Sequence, residues 1–182
     1  MKTTIQALFL VIAVAGLMSC EKLKSIADVT FDTAMSTDLD IAVEQATKST
    51  PAGYSYTAKS TIDPTSDPEV KKYADKIKKY QVTSLKVVVT GVSESGVTLG
   101  QGTWFRISDK SNSAQWVLPG DFDVTVGKSY TLGNENGQWD NVQQILGRNA
   151  EFDVASEGTS NKNNITIKLE VSIGAKVTAN PL

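Results

Sequence analysis

Of the 182 residues, none is histidine and one is cysteine, Cys20, so the chain's chemical repertoire is narrow. Without imidazole no Ser-His-Asp triad can be assembled, and a lone cysteine cannot complete a zinc tetrahedron. Any catalysis would have to use carboxylates, lysine, tyrosine or serine. Asp121 with Asp123, and Asp38 with Asp40, put two carboxyl groups on one strand face about 7 Å apart, inside the range of about 5 to 10 Å used in glycoside hydrolysis. Any acidic outer strand face produces the same spacing, and we read the chain as non-enzymatic, with no catalytic residue, no metal and no cofactor.

Three groups of side chains have types suited to binding. Trp104, Trp116 and Trp139 can offer flat apolar faces to sugar rings, with burial in the core as the competing role. Trp116, between Gln115 and Val117, is expected to be the exposed one. The run from Asn134 to Asn141 (Asn-Glu-Asn-Gly-Gln-Trp-Asp-Asn) gathers oxygens of the kind calcium prefers, without the alternating spacing of an EF-hand loop; an Asn-Gly turn leading into a helix accounts for it without a metal. Lys71, Lys72, Lys76, Lys78 and Lys79 form the most basic stretch. They suit an anionic partner such as lipid headgroups, lipopolysaccharide or an acidic glycan, or else simply solvate a helix.

The elements that carry these residues are mostly strands. Asp67-Pro68-Glu69 reads as a helix start, with a capping oxygen, a proline at N1 and an acid near the positive end of the dipole. Val70, Tyr73, Ala74, Ile77 and Tyr80 follow at helical spacing with the lysines outside, and Asp75 lies four residues from both Lys71 and Lys79. A second helix is expected from Trp139 to Leu146, ended by Gly147. Elsewhere alternation predicts strands at 29–31, 38–44, 54–60, 82–90, 97–99, 103–107, 114–118, 122–126, 129–132, 150–154 and 165–173. A hairpin-like return through Pro51-Ala52-Gly53 joins the second to the third. Many short strands with one or two short helices indicate a mainly β fold, an antiparallel β-sandwich, with a β-barrel as the alternative.

The first twenty residues decide the location. After Lys2 the chain runs from Ala7 to Leu17 without a polar side chain, the h-region of a signal peptide and too short to remain as a membrane span. It ends in Leu17-Met18-Ser19-Cys20, which resembles the lipobox of bacterial lipoproteins, with Met18 bulkier than usual. The resemblance implies cleavage before Cys20, a diacylglycerol on its sulfur and further acylation, with palmitate-type chains as the only covalent group; the thiol is then unavailable as a nucleophile. Glu21 follows where an aspartate would signal inner-membrane retention, so the resemblance points to the outer membrane, facing the periplasm or the cell surface. The expected organisation is a signal peptide at 1–19, a lipidated tether at 20–27, with Lys22 and Lys24 as headgroup contacts or a solvated leash, and one β-rich domain at 28–182.

Removing residues 1–19 leaves 163 residues with 17 basic and 20 acidic side chains. That mild acidity argues against nucleic acid. The run Ser60-Thr61-Ile62-Asp63, Asp67-Pro68-Glu69-Val70, Tyr73 and Lys76-Ile77-Lys78 is similar to a segment of small envelope lipoproteins of the Bacteroidota. That resemblance implies a tethered sandwich and brings no catalytic residues. Asp32-Thr33-Ala34 is similar to the O-glycosylation sequon of exported proteins of that group, which would require Thr33 to face solvent. Asn164-Ile165-Thr166 matches an N-glycosylation sequon that has no meaning on a bacterial lipoprotein. The expected function is a membrane-anchored interaction or structural module with an envelope protein partner; the alternative is a glycan-binding surface lipoprotein that assists polysaccharide capture.

Overall fold

A computed structural model describes residues 28–44 and 53–182; the signal segment, Cys20, the tether with Lys22 and Lys24, and Pro51-Ala52 lie outside these. The clearest alternation in the sequence becomes the spine of one sheet. Strand β10 (Ile165–Ala179) buries Ile165, Ile167, Leu169, Val171 and Ile173, and carries the pattern on through Ala175, Val177 and Ala179. Antiparallel neighbours flank it: β1 (Val29–Val43), in register at Leu39↔Leu169 and Ile41↔Ile167, and β3 (Ile77–Val92), with β8 (Ser129–Thr131) outermost.

The second sheet is built around β9 (Phe152–Ser160), with β2 (Tyr54–Ile62) along one side. On its other side lie β5 (Trp104–Ser108) and β4 (Thr98–Leu99), which continue to β6 (Ser113–Val117) and β7 (Phe122–Asp123). The two inner faces supply one hydrophobic core, to which Leu39, Leu85, Ile107, Ile145, Ile167 and Leu169 contribute fully buried side chains. Each such burial stabilises by about 1.5 to 3 kcal/mol. The architecture is therefore an antiparallel β-sandwich with two short helices, and not a closed barrel. Edge strands β1 and β2 approach each other through a 2.7 Å hydrogen bond between the Thr37 and Ser60 hydroxyls, without a backbone ladder. Tyr56 and Ala58 face inward as their alternation requires. The return after β1 is not a hairpin, because β2 pairs with β9 in the opposite sheet.

The helix expected to reach Tyr80 stops early. Helix α1 spans only Pro68–Tyr73, a 3-10 turn covers Ala74–Lys76, and Ile77 and Tyr80 belong to β3. Six helical residues propagate weakly on their own. The long ladder to β10 captures the rest, pairing Tyr80 with Val177 and burying its ring. Burial pushes the Tyr80 hydroxyl up to about 12, with the nearby Asp67 charge adding to the effect. Pairing along β3 skips Lys78, Thr83 and Thr90, so three bulges interrupt it. The one at Thr83 moves the buried positions from Tyr80 and Val82 to Leu85, Val87 and Val89.

Helix α2 (Gln138–Leu146) forms where its apolar spacing places it, burying Val142, Ile145 and Leu146. Gly147 is right-handed at φ −61, and the left-handed residue after the helix is Asn149, at φ 50. Asn149 also ties three elements together. Its Nδ2 donates to the Ala74 carbonyl at 2.8 Å, and its Oδ1 accepts from the Tyr80 hydroxyl at 2.6 Å. The helix also guards the free edge of β6. Gln138 Nε2 donates to the Gln115 carbonyl at 2.8 Å, its Oε1 accepts from the Gln115 amide at 3.3 Å, and Asn141 Nδ2 donates to the Ser113 carbonyl.

Candidate functional site

The three tryptophans do not form a platform. In β5 and β6, Phe105 pairs with Trp116 on the inner face and Trp104 with Val117 on the outer. Trp116 is therefore buried at 6% exposure, with its indole N–H donating to the Gly133 carbonyl at 2.7 Å, and the expectation that it faces solvent is overturned. Ala114 and Leu118 fix that parity, because all three point the same way. Trp104 is half-buried on the outer face with the Arg106 guanidinium 4.6 Å above its ring. Trp139 packs against the core from α2 and donates its indole N–H to the Leu132 carbonyl at 2.9 Å.

The basic residues fall on three elements rather than one helix face. Lys71 and Lys72 lie on α1, Lys76 in the 3-10 turn, and Lys78 and Lys79 at the start of β3, all five exposed. Asp75 makes no ion pair with Lys71 or Lys79. Lys78 instead reaches Asp28 at 2.8 Å. That hydrogen bond holds the Asp28 carboxyl below its ordinary proton affinity against the opposing effect of desolvation, with further help from Asn180.

Thr33, the residue suited to O-glycosylation, points inward at 7% exposure, so the solvent-facing requirement is not met. Its hydroxyl donates to Asp67 Oδ2 at 2.6 Å, while Asp67 Oδ1 accepts from the Glu69 and Val70 amides at 2.8 and 3.1 Å. Asp67 is thus the helix cap that the sequence suggests and also a clamp on β1. Burial opposes its charge, but Thr33 and the two amides together hold its proton affinity below the ordinary value.

In the Asn134–Asn141 segment the oxygens of Asn134, Gln138 and Asp140 serve the helix and its contact with β6. Asn134 Oδ1 accepts from the Trp139 amide at 2.9 Å, Asp140 Oδ1 accepts from Gln143, and Asn136 and Gly137 adopt the left-handed turn at φ 58 and 74. Among the described residues no three acidic or cysteine side chains gather as metal ligands would. Asp38 and Asp40 lie exposed on the outer face of β1, opposite Glu170 and Lys168. Asp121 accepts from the Gln101 amide, and Asp123 pairs with Lys128.

A depression of about 560 Å³ lies where the β5–β6 turn meets the end of α2, lined by Asp109, Lys110, Arg148, Glu151 and Phe152 among others. Asp109 Oδ1 accepts from the Ser111 and Asn112 amides, both at 2.7 Å, and Oδ2 meets Arg148 Nε at 2.9 Å. Burial works against the Asp109 charge, and those amides and the guanidinium outweigh it, so its proton affinity is lowered. Sequence spacing could not find this pair, whose members lie far apart in the chain. A carboxyl engaged in this way shapes a turn. A general acid needs the opposite shift.

No family model and no curated protein matches the chain. Among solved structures it is similar to the decameric BFDV capsid protein, at 10% identity over 82% of this chain and 99% of that one, with a TM-score of 0.44. It is also similar to a chain of Turnip Yellow Mosaic Virus, at 10% identity over 85% and 96% of the two chains, with a TM-score of 0.35.

Proposed function

We propose that this chain is an envelope lipoprotein, anchored through acylated Cys20 in the outer membrane, whose sandwich acts as a non-enzymatic interaction or structural module. The observation that supports this most is the adjacency of the lipobox-like Leu17-Met18-Ser19-Cys20 and a folded strand that begins at Val29. Eight residues from Cys20 to Ala27 reach at most about 29 Å, so the sandwich is held at the membrane rather than on a long stalk. The carboxyl groups with shifted proton affinity, Asp28, Asp63, Asp67 and Asp109, are all shifted downward, which suits structural anchors. Scattering of the tryptophans lowers the weight of the glycan-binding alternative.

The test is Cys20→Ser in the producing bacterium with a radiolabelled or clickable palmitate. Loss of label together with an uncleaved or soluble precursor is expected, whereas unchanged membrane attachment would overturn the anchor. Crosslinking of the tagged wild-type chain in intact cells then separates the two modules. A reproducible protein partner supports the first reading, and retained carbohydrate without one supports the second.

A further inference from the structure

Beside the outermost strand β6 lies a second depression, of about 310 Å³, whose walls come from three elements. Strand β6 supplies Gln115 and Val117, β8 supplies Tyr130, and the turn into α2 supplies Glu135, Asn136 and Gln138. Trp116 also borders it but contributes little surface, being buried at 6% exposure.

The walls are fixed by bonds that leave several polar groups of the lining unused. The Trp116 indole donates to the Gly133 carbonyl at 2.7 Å, Gln138 bonds both backbone groups of Gln115, and Asn134 Oδ1 holds the Trp139 amide. Asn136 sits in its left-handed turn at φ 58. The side chains of Gln115, Glu135 and Asn136 and the Tyr130 hydroxyl, by contrast, make no hydrogen bond or ion pair among the described residues. In the larger depression Asp109 and Arg148 are already engaged with each other.

The chemistry of the unused groups narrows what can fill the space. A carboxylate only accepts, whereas primary amides and a phenol both donate and accept. One acid and no base line the depression, so an anionic ligand has no countercharge to meet. Val117, exposed at 51%, and Pro119 add a small apolar patch near the tyrosine. The hydroxyls of a pyranose ring match this set. Neighbouring ones can donate together to Glu135 and exchange hydrogen bonds with the amides of Gln115 and Asn136, while the C–H face of the ring lies on apolar atoms. The volume is at the lower end for ligand sites, which run from about 300 to 1,000 Å³, and so suits one sugar ring better than an engulfed chain.

We infer that this depression binds one neutral hexose unit of a glycan, held by Gln115, Tyr130, Glu135 and Asn136. The inference deepens the glycan-binding reading given above as the alternative, and it is independent of the anchor. It requires no tryptophan platform. Walls fixed in advance keep the ordering cost small, but about twelve heavy atoms with little apolar contact bind weakly, with a Kd on the order of 1 mM.

The experiment is saturation-transfer NMR on the full mature chain from the producing bacterium, in a zwitterionic detergent without a sugar headgroup. Methyl β-glucoside, methyl β-galactoside and methyl α-mannoside serve as probes at about 10 mM. Saturation should pass to the ring protons of at least one of them and survive about 0.5 M salt, as binding of a neutral ligand must. The variant Glu135→Ala, Asn136→Gly permits the left-handed turn and removes no hydrogen bond of the fold, so it should melt close to the parent while binding at least about tenfold more weakly. Tyr130→Phe, which keeps the ring, should weaken binding about threefold. Transfer that is undiminished in the double variant overturns this site and leaves the glycan reading standing, with the sugar bound elsewhere. Transfer to putrescine but to no glycoside overturns it in favour of an amine. No transfer to any probe also overturns the site, and the glycan reading falls with it only if the crosslink in intact cells retains no carbohydrate.

Discussion

Lys78 is the extra residue of a bulge in β3, and its ammonium lies 2.8 Å from the Asp28 carboxylate at the entry to β1. Pairing of Ile77 with Ala179 and Lys79 with Thr178 leaves Lys78 without a ladder position, and its side chain is free to reach across β10 to the start of β1. Carbon-detected NMR should find Asp28 titrating below its ordinary value in the wild type and rising in Lys78→Met. Whatever stability the pair adds is present above the ordinary carboxylate range and is lost as pH falls through the depressed value. An exposed pair contributes little, so the melting temperature should barely move.

Asp67 performs two tasks, and its removal should be felt by both. Asp67→Ala strips the cap of α1 and the acceptor of Thr33, and we expect a loss of about 1 to 2 kcal/mol in urea denaturation. Asp67→Asn, which keeps an acceptor for the helix amides, should lose less. Because Thr33 and the amides lower its proton affinity, the contribution is complete above the unfolded carboxylate range and declines as pH falls through the folded value. A loss that is the same at pH 7 and at acid pH would refute the assignment.

The two tryptophans of the β5–β6 pair should behave oppositely. Trp116→Ala opens a core cavity and strands the Gly133 carbonyl, with an expected loss of about 3 to 5 kcal/mol. Trp104→Ala removes an outer-face ring and its Arg106 contact, with an expected loss of about 1 kcal/mol or less. Acrylamide should quench Trp104 emission strongly and Trp116 weakly, measured in single-tryptophan variants.

Gly158 on β9 faces Thr103 so closely that an added Cβ would lie 2.7 Å from its Cβ and 3.0 Å from its Cα. Gly158→Ala should lower stability by about 1 to 3 kcal/mol by thermal denaturation. Adding Thr103→Ala should restore only part of it, since Thr103 is buried and its backbone remains in the way.

Elements whose signal is local could be read from sequence, and those decided at a distance could not. Alternation from Ile165 to Ile173, the spacing of Val142, Ile145 and Leu146, and the cap at Asp67 each reside within a few residues, and each stands in the fold. Ile77 and Tyr80 fit a helix by spacing, and β10, a hundred residues further on, draws them into a strand. Trp116 takes the inner face, not the outer one its polar neighbour suggests, because Gln115 and Val117 are both exposed although only one is polar, and in five residues the phase of alternation rests on the neighbours. β9 runs beyond its expected end at Val154 because Ser156 and Ser160 are buried without being apolar. Of the expected binding residues, the lysines prove to share one end of the fold, but the reason is the path of three elements and not a helical stripe. The couplings Asp28–Lys78, Thr33–Asp67 and Asp109–Arg148 join residues with no sequence spacing to reveal them.

The Gln138 side chain answers both backbone groups of Gln115 on the outermost strand of its sheet. An unanswered edge there would be a template on which a passing extended segment could add itself, and then another. With a glutamine amide standing in for the missing neighbour, the centre of β6 is already occupied, and a segment adding itself there would first have to displace that side chain. That displacement would cost the two hydrogen bonds now made, a local toll on any would-be neighbour.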